Sequence, residues 1–226
     1  MSATLWITRT QPGADRQAAD LEAAGYRTLV APVLGVEATG APLPVGSFDT
    51  VVFLSEHAVN FAQDRSFCAG ARLFAIGPQT GSALEAAGYR VQVPEDQRSE
   101  GLLELPEFVT LTGQRVLLVA GEGGRDLLAE TLSQRGATVC EYRCYRRVAV
   151  REVEFAADQI DVIIAASGDG VAAIADCWFA RAGSADIPLL VPSPRVARLA
   201  AGHGFSRVIE CSGAGSRAIL SGLQRI

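Results

Sequence analysis

The chain has 226 residues, enough for one large buried core or two smaller ones, and its 49% apolar and 20% charged residues are typical of a globular protein. All 20 basic residues are arginine, which excludes mechanisms that need a lysine, such as Schiff-base chemistry, pyridoxal phosphate and the Walker-A loop. The net charge is −5 and no basic block occurs, so nucleic-acid binding is not expected.

The targeting and redox signals are those of a cytoplasmic protein. Met1 is followed almost at once by a predicted strand, without a basic and apolar leader, and no apolar run approaches the roughly 20 residues that span a bilayer. Five scattered cysteines and two histidines give neither a disulfide framework nor a metal-ligand pattern. We therefore expect reduced thiols, no metal and no membrane contact.

Strands alternate with helices along the whole chain, which predicts parallel α/β layers. The predicted strands are residues 5–8, 28–30, 51–54, 73–76, 91–93, 116–119, 162–165, 189–191 and 208–210. The predicted helices are residues 14–24, 57–63, 80–87, 100–108, 125–135, 171–180, 195–201 and 216–224. Residues 34–40 and 138–155 break the alternation, and we interpret them as extended connectors rather than buried strands.

The sequence repeats itself in chain order. Residues 50–55 (TVVFLS) are echoed by 162–167 (VIIAAS), residues 74–78 (FAIGP) by 190–194 (LVPSP), and the opening residues 5–9 resemble 116–120. The offsets of 112, 116 and 111 residues cover the whole chain. The repeat predicts two similar halves, two similar sheets and one ligand-binding cleft.

Several predicted strands end in a small polar residue or glycine just before a helix. Ligands of parallel sheets bind at these carboxyl ends, where free backbone N–H groups and the helix dipole attract anions. Helix capping is the simpler interpretation of the serines, and the two roles are compatible. The candidate positions are Arg9, Ser55, Gly77, Thr80, Ser99, Gly121, Arg125, Ser167, Ser193 and Arg195.

Other chemical patterns are weak. The glycine-rich run from Gly121 to Arg125 is not a G-x-G-x-x-G fingerprint, and Ser55 lacks the G-x-S-x-G elbow, so nucleotide binding and hydrolysis are disfavoured. Tyr142 and Tyr145 lie three residues apart on an extended stretch, which predicts that only one of them faces a cleft. A tyrosine there can donate a proton to a leaving hydroxyl, or simply pack at the junction between the halves.

Eight segments in chain order share a pattern: Thr8-Arg9, residues 53–59 (FLSEHAV), 75–80 (AIGPQT), 99–102 (SEGL), 121–128 (GEGGRDLL), 136–139 (GATV), Tyr145 and 192–197 (PSPRVA). Taken together, these segments make the chain resemble the uroporphyrinogen-III synthase family over essentially its whole length. Each segment alone is weakly specific, and their order and spacing carry the assignment. The start departs from the family's usual Thr-Arg-Pro, since the proline is delayed to Pro12, and the second-half counterpart of Thr80 is Val196.

The resemblance implies an architecture. We expect two flavodoxin-like, three-layer α/β lobes with parallel sheets, joined by a two-stranded antiparallel ladder. Residues 1–34 and 152–226 would form one discontinuous lobe and residues 41–139 the other. Residues 35–40 and 140–151 would be the connector strands.

The resemblance also implies a reaction, in which a cyclising hydro-lyase without metal or organic cofactor converts hydroxymethylbilane to uroporphyrinogen III. Tyr145 corresponds to the family's connector tyrosine and is the candidate proton donor, and Thr80 is the candidate for binding a carboxylate or ordering the chain beside the reacting ring. The partners implied are this small-molecule substrate and a transient contact with the preceding enzyme of the pathway. A non-catalytic binding protein for a polyanionic metabolite and a phosphosugar transferase remain the alternatives.

Overall fold

The computed structural model describes residues 3–123 and 127–226. Strands β1 to β10 are Thr4–Ile7, Arg27–Val30, Leu34–Ala38, Thr50–Phe53, Arg72–Ala75, Arg115–Gly121, Thr138–Ala149, Val162–Ile164, Leu189–Val191 and Val208–Glu210. Helices α1 to α8 are Gly13–Ala23, Glu56–Phe61, Pro78–Ala86, Ser99–Glu104, Leu127–Gln134, Gly168–Phe179, Pro194–Gly202 and Ser216–Leu223. The predicted α/β class, with largely parallel sheets, is confirmed. Within the described ranges, no helix has the length and apolarity needed to cross a bilayer.

The chain divides into two compact units, whose boundaries fall inside β3 and β7. The first unit comprises Met1–Gly35 and Val148–Ile226, and the second comprises Val36–Arg147. Each unit contains one five-stranded sheet and its own apolar clusters.

The sheet of the first unit has the strand order β10-β9-β8-β1-β2, and all its pairs are parallel. Its central strands β1, β8 and β9 are short, largely apolar runs that are buried on both faces, as is typical of parallel sheets. Trp6 and Ile163 belong to the apolar cluster on one face, where Trp6 Nε1 donates to the carbonyl of Ala31 at 2.8 Å. Leu5 and Ile7 belong to the cluster on the other face. Successive residues of β1 thus serve opposite layers.

The sheet of the second unit has the order β3-β7-β6-β4-β5, in which β7, β6, β4 and β5 are mutually parallel. Strand β3 is antiparallel to β7, because the N–H of Thr39 donates to Cys144 while the N–H of Val150 donates to Val33. Val51 and Phe53 of β4 pack on one face of the sheet, and the other face carries a separate cluster around Val52 and Phe108.

The two sheet orders agree with the sequence repeat. By the echoed segments, strands β8, β9 and β1 of the first unit correspond to β4, β5 and β6 of the second. The strand orders β9-β8-β1 and β5-β4-β6 match. The position of β10 is taken in the second unit by a single parallel bridge between Phe74 and Gln92. The strand predicted at residues 91–93 is therefore reduced to this one bridge.

Two sequence expectations need correction. The helix predicted at residues 100–108 ends at Glu104, because Leu105 precedes Pro106 and is extended (φ −63°, ψ 140°), and a 3₁₀ turn follows over Pro106–Phe108. Residues 138–155 are not solely a connector. Thr138–Tyr145, the first part of β7, pairs in parallel with β6 and is a full member of the second unit's sheet.

Candidate active site

The site in the second unit starts at the end of β4. Ser55 has an extended backbone (φ −166°, ψ 160°), and its Oγ accepts a hydrogen bond from the N–H of Ala58 at 3.1 Å. Ser55 is therefore the N-cap of α2, as its position after an apolar strand predicts. Because α2 follows β4 directly, this cap lies at the carboxyl edge of the parallel sheet.

Tyr145 reaches the same edge from β7 because of a bulge. The register pairs Ala120 with Arg143 but Gly121 with Tyr145, so Cys144 is an extra residue on β7. The extra residue cancels the alternation of side chains. Tyr142 and Tyr145 therefore pack in the same apolar cluster, at 8% and 3% exposure. The prediction that the two tyrosines face opposite sides is wrong, because it assumed an unbroken strand.

The Tyr145 hydroxyl lies 2.9 Å from Ser55 Oγ. Its ring lies against the backbone of Gly121, where a Cβ atom would be only 2.4 Å from the ring carbon Cζ. His57 and Phe61 of α2 flank the ring, with centroids 5.4 Å and 6.0 Å away. A phenol is thus held on several sides by the ends of β4, β6 and β7, with its polar tip at the cap of α2.

Burial raises the pKa of two groups near this phenol. Burial raises the pKa of the Cys144 thiol to about 11, and its sulfur lies within hydrogen-bond distance of the carbonyls of Ala58 and Ala120. Burial is also the main cause that raises the pKa of Tyr142. Cys144 is therefore protonated at neutral pH and is not a thiolate nucleophile. Among the described residues, no group of three or more histidine, cysteine, aspartate or glutamate side chains could hold a metal ion.

The other predicted positions of the second unit lie after β5 or at the start of α4. Gly77 is the extended N-cap of α3, and Thr80 lies in the first turn of that helix at 4% exposure. Thr80 is thus packed inward, which favours ordering the chain over direct contact with a ligand. Ser99 is the first residue of α4, not its cap, because Arg98 occupies the N-cap position. Arg125 lies outside the described residues.

The first unit repeats the arrangement of caps without a tyrosine. Ser193 caps α7 and accepts from the N–H of Val196 at 3.4 Å. Ser167 occupies the N-cap position of α6, as predicted, but its side chain makes no capping hydrogen bond. The guanidinium of Arg195 covers Gly168, since a Cβ there would be 3.1 Å from Nη1. Arg195 and the start of α6 thus form one cluster.

Arg9 lies elsewhere on the first unit. Its guanidinium packs on Gly13 at the start of α1, and its Nη1 is 3.5 Å from the carbonyl of Ala214, just before α8. The same carbonyl accepts from the buried amide of Gln17 at 3.0 Å. Nothing in the sequence around Gln17 indicates this contact, because it joins residues 197 positions apart.

Two further neighbours of Tyr145 were not predicted as site residues. The sequence pattern singled out neither His57 nor Phe61. Both lie on the side of α2 that meets β7. Their spacing of four residues, one helical turn, is the only local signal that could have grouped them.

Polar groups at the carboxyl ends of parallel strands, where α/β proteins bind small-molecule ligands, define this class of protein. The sequence model described as "Uroporphyrinogen-III synthase HemD" matches residues 15–221. The chain is 30% identical to uroporphyrinogen-III synthase of Escherichia coli K12 and 31% identical to that of Salmonella typhimurium LT2, each over 98% of this chain and 100% of the relative. The chain belongs to the uroporphyrinogen-III synthase family.

Solved structures support the fold. The crystal structure of uroporphyrinogen-III synthetase from Helicobacter pylori 26695 superposes with a TM-score of 0.64 at 14% identity, covering 100% of this chain and 99% of that one. A mutant uroporphyrinogen III synthase from Thermus thermophilus gives a TM-score of 0.54 at 17% identity, covering 100% of both chains.

Proposed function

We propose that this protein is a uroporphyrinogen-III synthase. Linear hydroxymethylbilane loses its hydroxyl as water, its last pyrrole ring is inverted through a spiro intermediate, and the macrocycle closes to uroporphyrinogen III. The observation that carries this proposal is the match to named synthases along 98% of the chain.

The proposed architecture consists of two flavodoxin-like lobes that correspond to the two units. Numbered within the first unit, the strand order is 2-1-3-4-5, which is the flavodoxin-like order. The antiparallel pairing of β3 with β7 supports a two-stranded connector, with the lobe boundaries inside residues 35–40 and 140–151. Because the first part of β7 belongs to a sheet, the connector proper is its second part.

The proposed substrate-binding groups are backbone amides and arginines. The substrate carries acetate and propionate side chains, and helix N-termini bind anions, typically by about 0.3–1 kcal/mol per helix end. The N-caps at Gly77, Ser167 and Ser193 have the same extended backbone as Ser55, and each lies between the end of a strand and the helix that follows it. Further proposed contacts are Arg9, Ser99, Gly121, Arg125 and Arg195, of which the arginines can bind carboxylates in bidentate fashion.

Tyr145 is the proposed proton donor. Departure of the substrate hydroxyl needs a proton, and a phenol is both a hydrogen-bond donor and a weak acid. The cation left behind requires a fixed conformation more than a nucleophile, so the remaining task is positioning. Thr80, buried in the first turn of α3, orders the chain that follows Gly77.

The test is an incubation of the purified protein with freshly prepared hydroxymethylbilane, followed by separation of type III from type I product. A synthase gives type III product, and pretreatment with a metal chelator leaves the rate unchanged. Type I product alone, formed at the spontaneous rate, would overturn the proposal. Tight binding of the bilane without turnover would instead identify a binding protein for polyanionic metabolites.

A further inference from the structure

We propose that Ser55 is a positioning residue for the reaction: its hydroxyl donates a hydrogen bond to the oxygen of Tyr145 and leaves the phenolic proton free for the substrate. This assignment rests on the proposed function and extends it. It adds a residue that does not itself touch the reacting atoms, and it fixes the direction of one hydrogen bond.

The direction follows from the donors and acceptors around Ser55 Oγ. A serine hydroxyl has one proton and two lone pairs. One lone pair is taken by the N–H of Ala58 at 3.1 Å, and Tyr145 lies 2.9 Å from the same oxygen. If Ser55 donates to Tyr145, the serine proton has a partner and the phenolic proton is the one that remains available. The reverse arrangement would use the phenolic proton inside the protein and leave the serine proton in need of another acceptor.

The other neighbours of Tyr145 fix the position of its ring but not the direction of its hydroxyl proton. Gly121 lies against the ring, and His57 and Phe61 pack beside it, so the oxygen has little freedom to move. The O–H bond can still rotate about the bond that joins the oxygen to the ring. Ser55, itself locked by capping α2, is the contact that selects one rotation.

The proton transfer gives Ser55 a second effect. The phenolic O–H bond breaks and its proton joins the leaving hydroxyl, while the carbon–oxygen bond breaks with its electron pair on oxygen, so that water departs. Tyr145 then carries a phenolate, and the bond from Ser55 becomes charge-assisted and stronger. Ring closure releases a proton from the attacked carbon, which restores the phenol, so the net change is the loss of one water. A donor that strengthens only as charge develops accelerates the step itself.

The experiment compares Ser55→Ala, Ser55→Asp and Ser55→Thr in the full-length protein, with kcat and KM measured on hydroxymethylbilane. Loss of a hydrogen bond to a charged group predicts a kcat about 10- to 100-fold lower for Ser55→Ala, with KM within about twofold. Ser55→Thr keeps the hydroxyl and is expected to stay within about threefold of the unmodified protein.

Ser55→Asp separates the cap from the donor. Aspartate caps helices about as well as serine, so the urea midpoint is expected to stay near that of the unmodified protein. An ionised aspartate can only accept, so it would take the phenolic proton, and kcat is expected to fall as in Ser55→Ala. Full activity in Ser55→Asp would overturn the assignment, because the cap alone would then suffice.

A double mutant isolates the path through the tyrosine. In a Tyr145→Phe background, Ser55→Ala is expected to cause no further loss of kcat. An equal loss in both backgrounds would contradict positioning through Tyr145. The unmodified protein distinguishes the two levels of the proposal: if it makes no type III product the proposed function fails, whereas normal product formation with unaffected Ser55 variants removes only the role of Ser55.

Discussion

The ring of Tyr145 occupies the space that a side chain on Gly121 would need. A Cβ atom at residue 121 would lie 2.4 Å from the ring carbon Cζ and 2.6 Å from Cε2. Gly121 ends β6 and Tyr145 follows the bulge of β7, so the contact joins neighbouring strands at the carboxyl edge of one sheet. The absence of a side chain at residue 121 therefore sets the position of the phenol.

Gly121→Ala is expected to displace Tyr145 and lower kcat by at least about tenfold, because the added methyl group would clash with the ring and force it to move. The same substitution should destabilise the protein by about 1–3 kcal/mol, measured by urea denaturation. In a Tyr145→Ala background the stability cost should largely disappear, since the clashing ring is gone. Gly202→Ala is the matched control: Gly202 ends α7 with no atom within 4 Å of a built Cβ, so that variant should keep both stability and rate.

Thr80→Val is expected to reduce kcat or raise KM while the urea midpoint changes little, because valine fills the same volume at a buried position. Thr80→Ser keeps the hydroxyl and should retain more activity than Thr80→Val. Far-UV circular dichroism provides the folding control. A loss of activity that follows the loss of folded protein in both variants would assign Thr80 to packing alone.

The sequence was sufficient to predict the elements whose signals are local. The predicted limits of β9 and β10 coincide with the observed strands, Leu189–Val191 and Val208–Glu210, because each is a short apolar run between turn residues. Gly88 and Gly204 end helices with φ of 88° and 97°, a conformation that glycine adopts without strain. These features depend on neighbours in the chain and not on distant contacts.

The features that build the site depend on partner strands. The bulge at Cys144 arises from the pairing of β7 with β6, and no pattern within β7 indicates it. For this reason the sequence predicted opposite faces for the two tyrosines. The contact between Ser55 and Tyr145 spans 90 positions, and although each residue was a candidate by itself, nothing in the sequence indicates that the two meet. Whether Ser99 caps α4 or begins it depends on the first residue of the helix, and the sequence does not fix that residue to within one position.

Buried thiols should make stability depend on alkaline pH. Burial raises the pKa of Cys68 and Cys144 from 9.0 to about 11, so the folded protein keeps protons that the unfolded chain releases. Stability from these thiols is complete below about pH 9 and is lost as the pH rises towards about 11. We expect the urea midpoint to fall between about pH 9 and pH 11, and to fall less in a Cys68→Ala/Cys144→Ala variant.

Thiol labelling checks the same thiols independently. Cys68 and Cys144 should resist alkylation in the folded protein at about pH 8 and react after unfolding in urea, since the thiolate is the reactive form. Half-buried Cys140 is the internal comparison within the second unit. Rapid modification of Cys144 in the folded protein, located by peptide mass spectrometry, would contradict its burial.

Tryptophan fluorescence should report on one unit only. Both tryptophans of the chain, Trp6 and Trp178, belong to the first unit and its apolar cluster. If the two units are separate lobes, Phe108→Ala, which empties a fully buried site in the second unit, should lower the free energy of unfolding followed by circular dichroism by about 3–5 kcal/mol. The fluorescence transition should stay in place. Equal shifts of both signals would show that the units unfold together.

The most direct test of the account is the rate of type III product formation by Tyr145→Phe, which removes one oxygen atom and keeps the ring between Gly121 and Phe61. If the phenol supplies the proton, kcat should fall by about 10²- to 10⁴-fold, the contribution typical of a general acid, with a urea midpoint close to that of the unmodified protein. Type III product formed at an unchanged rate by the folded Phe variant would contradict the role assigned to Tyr145.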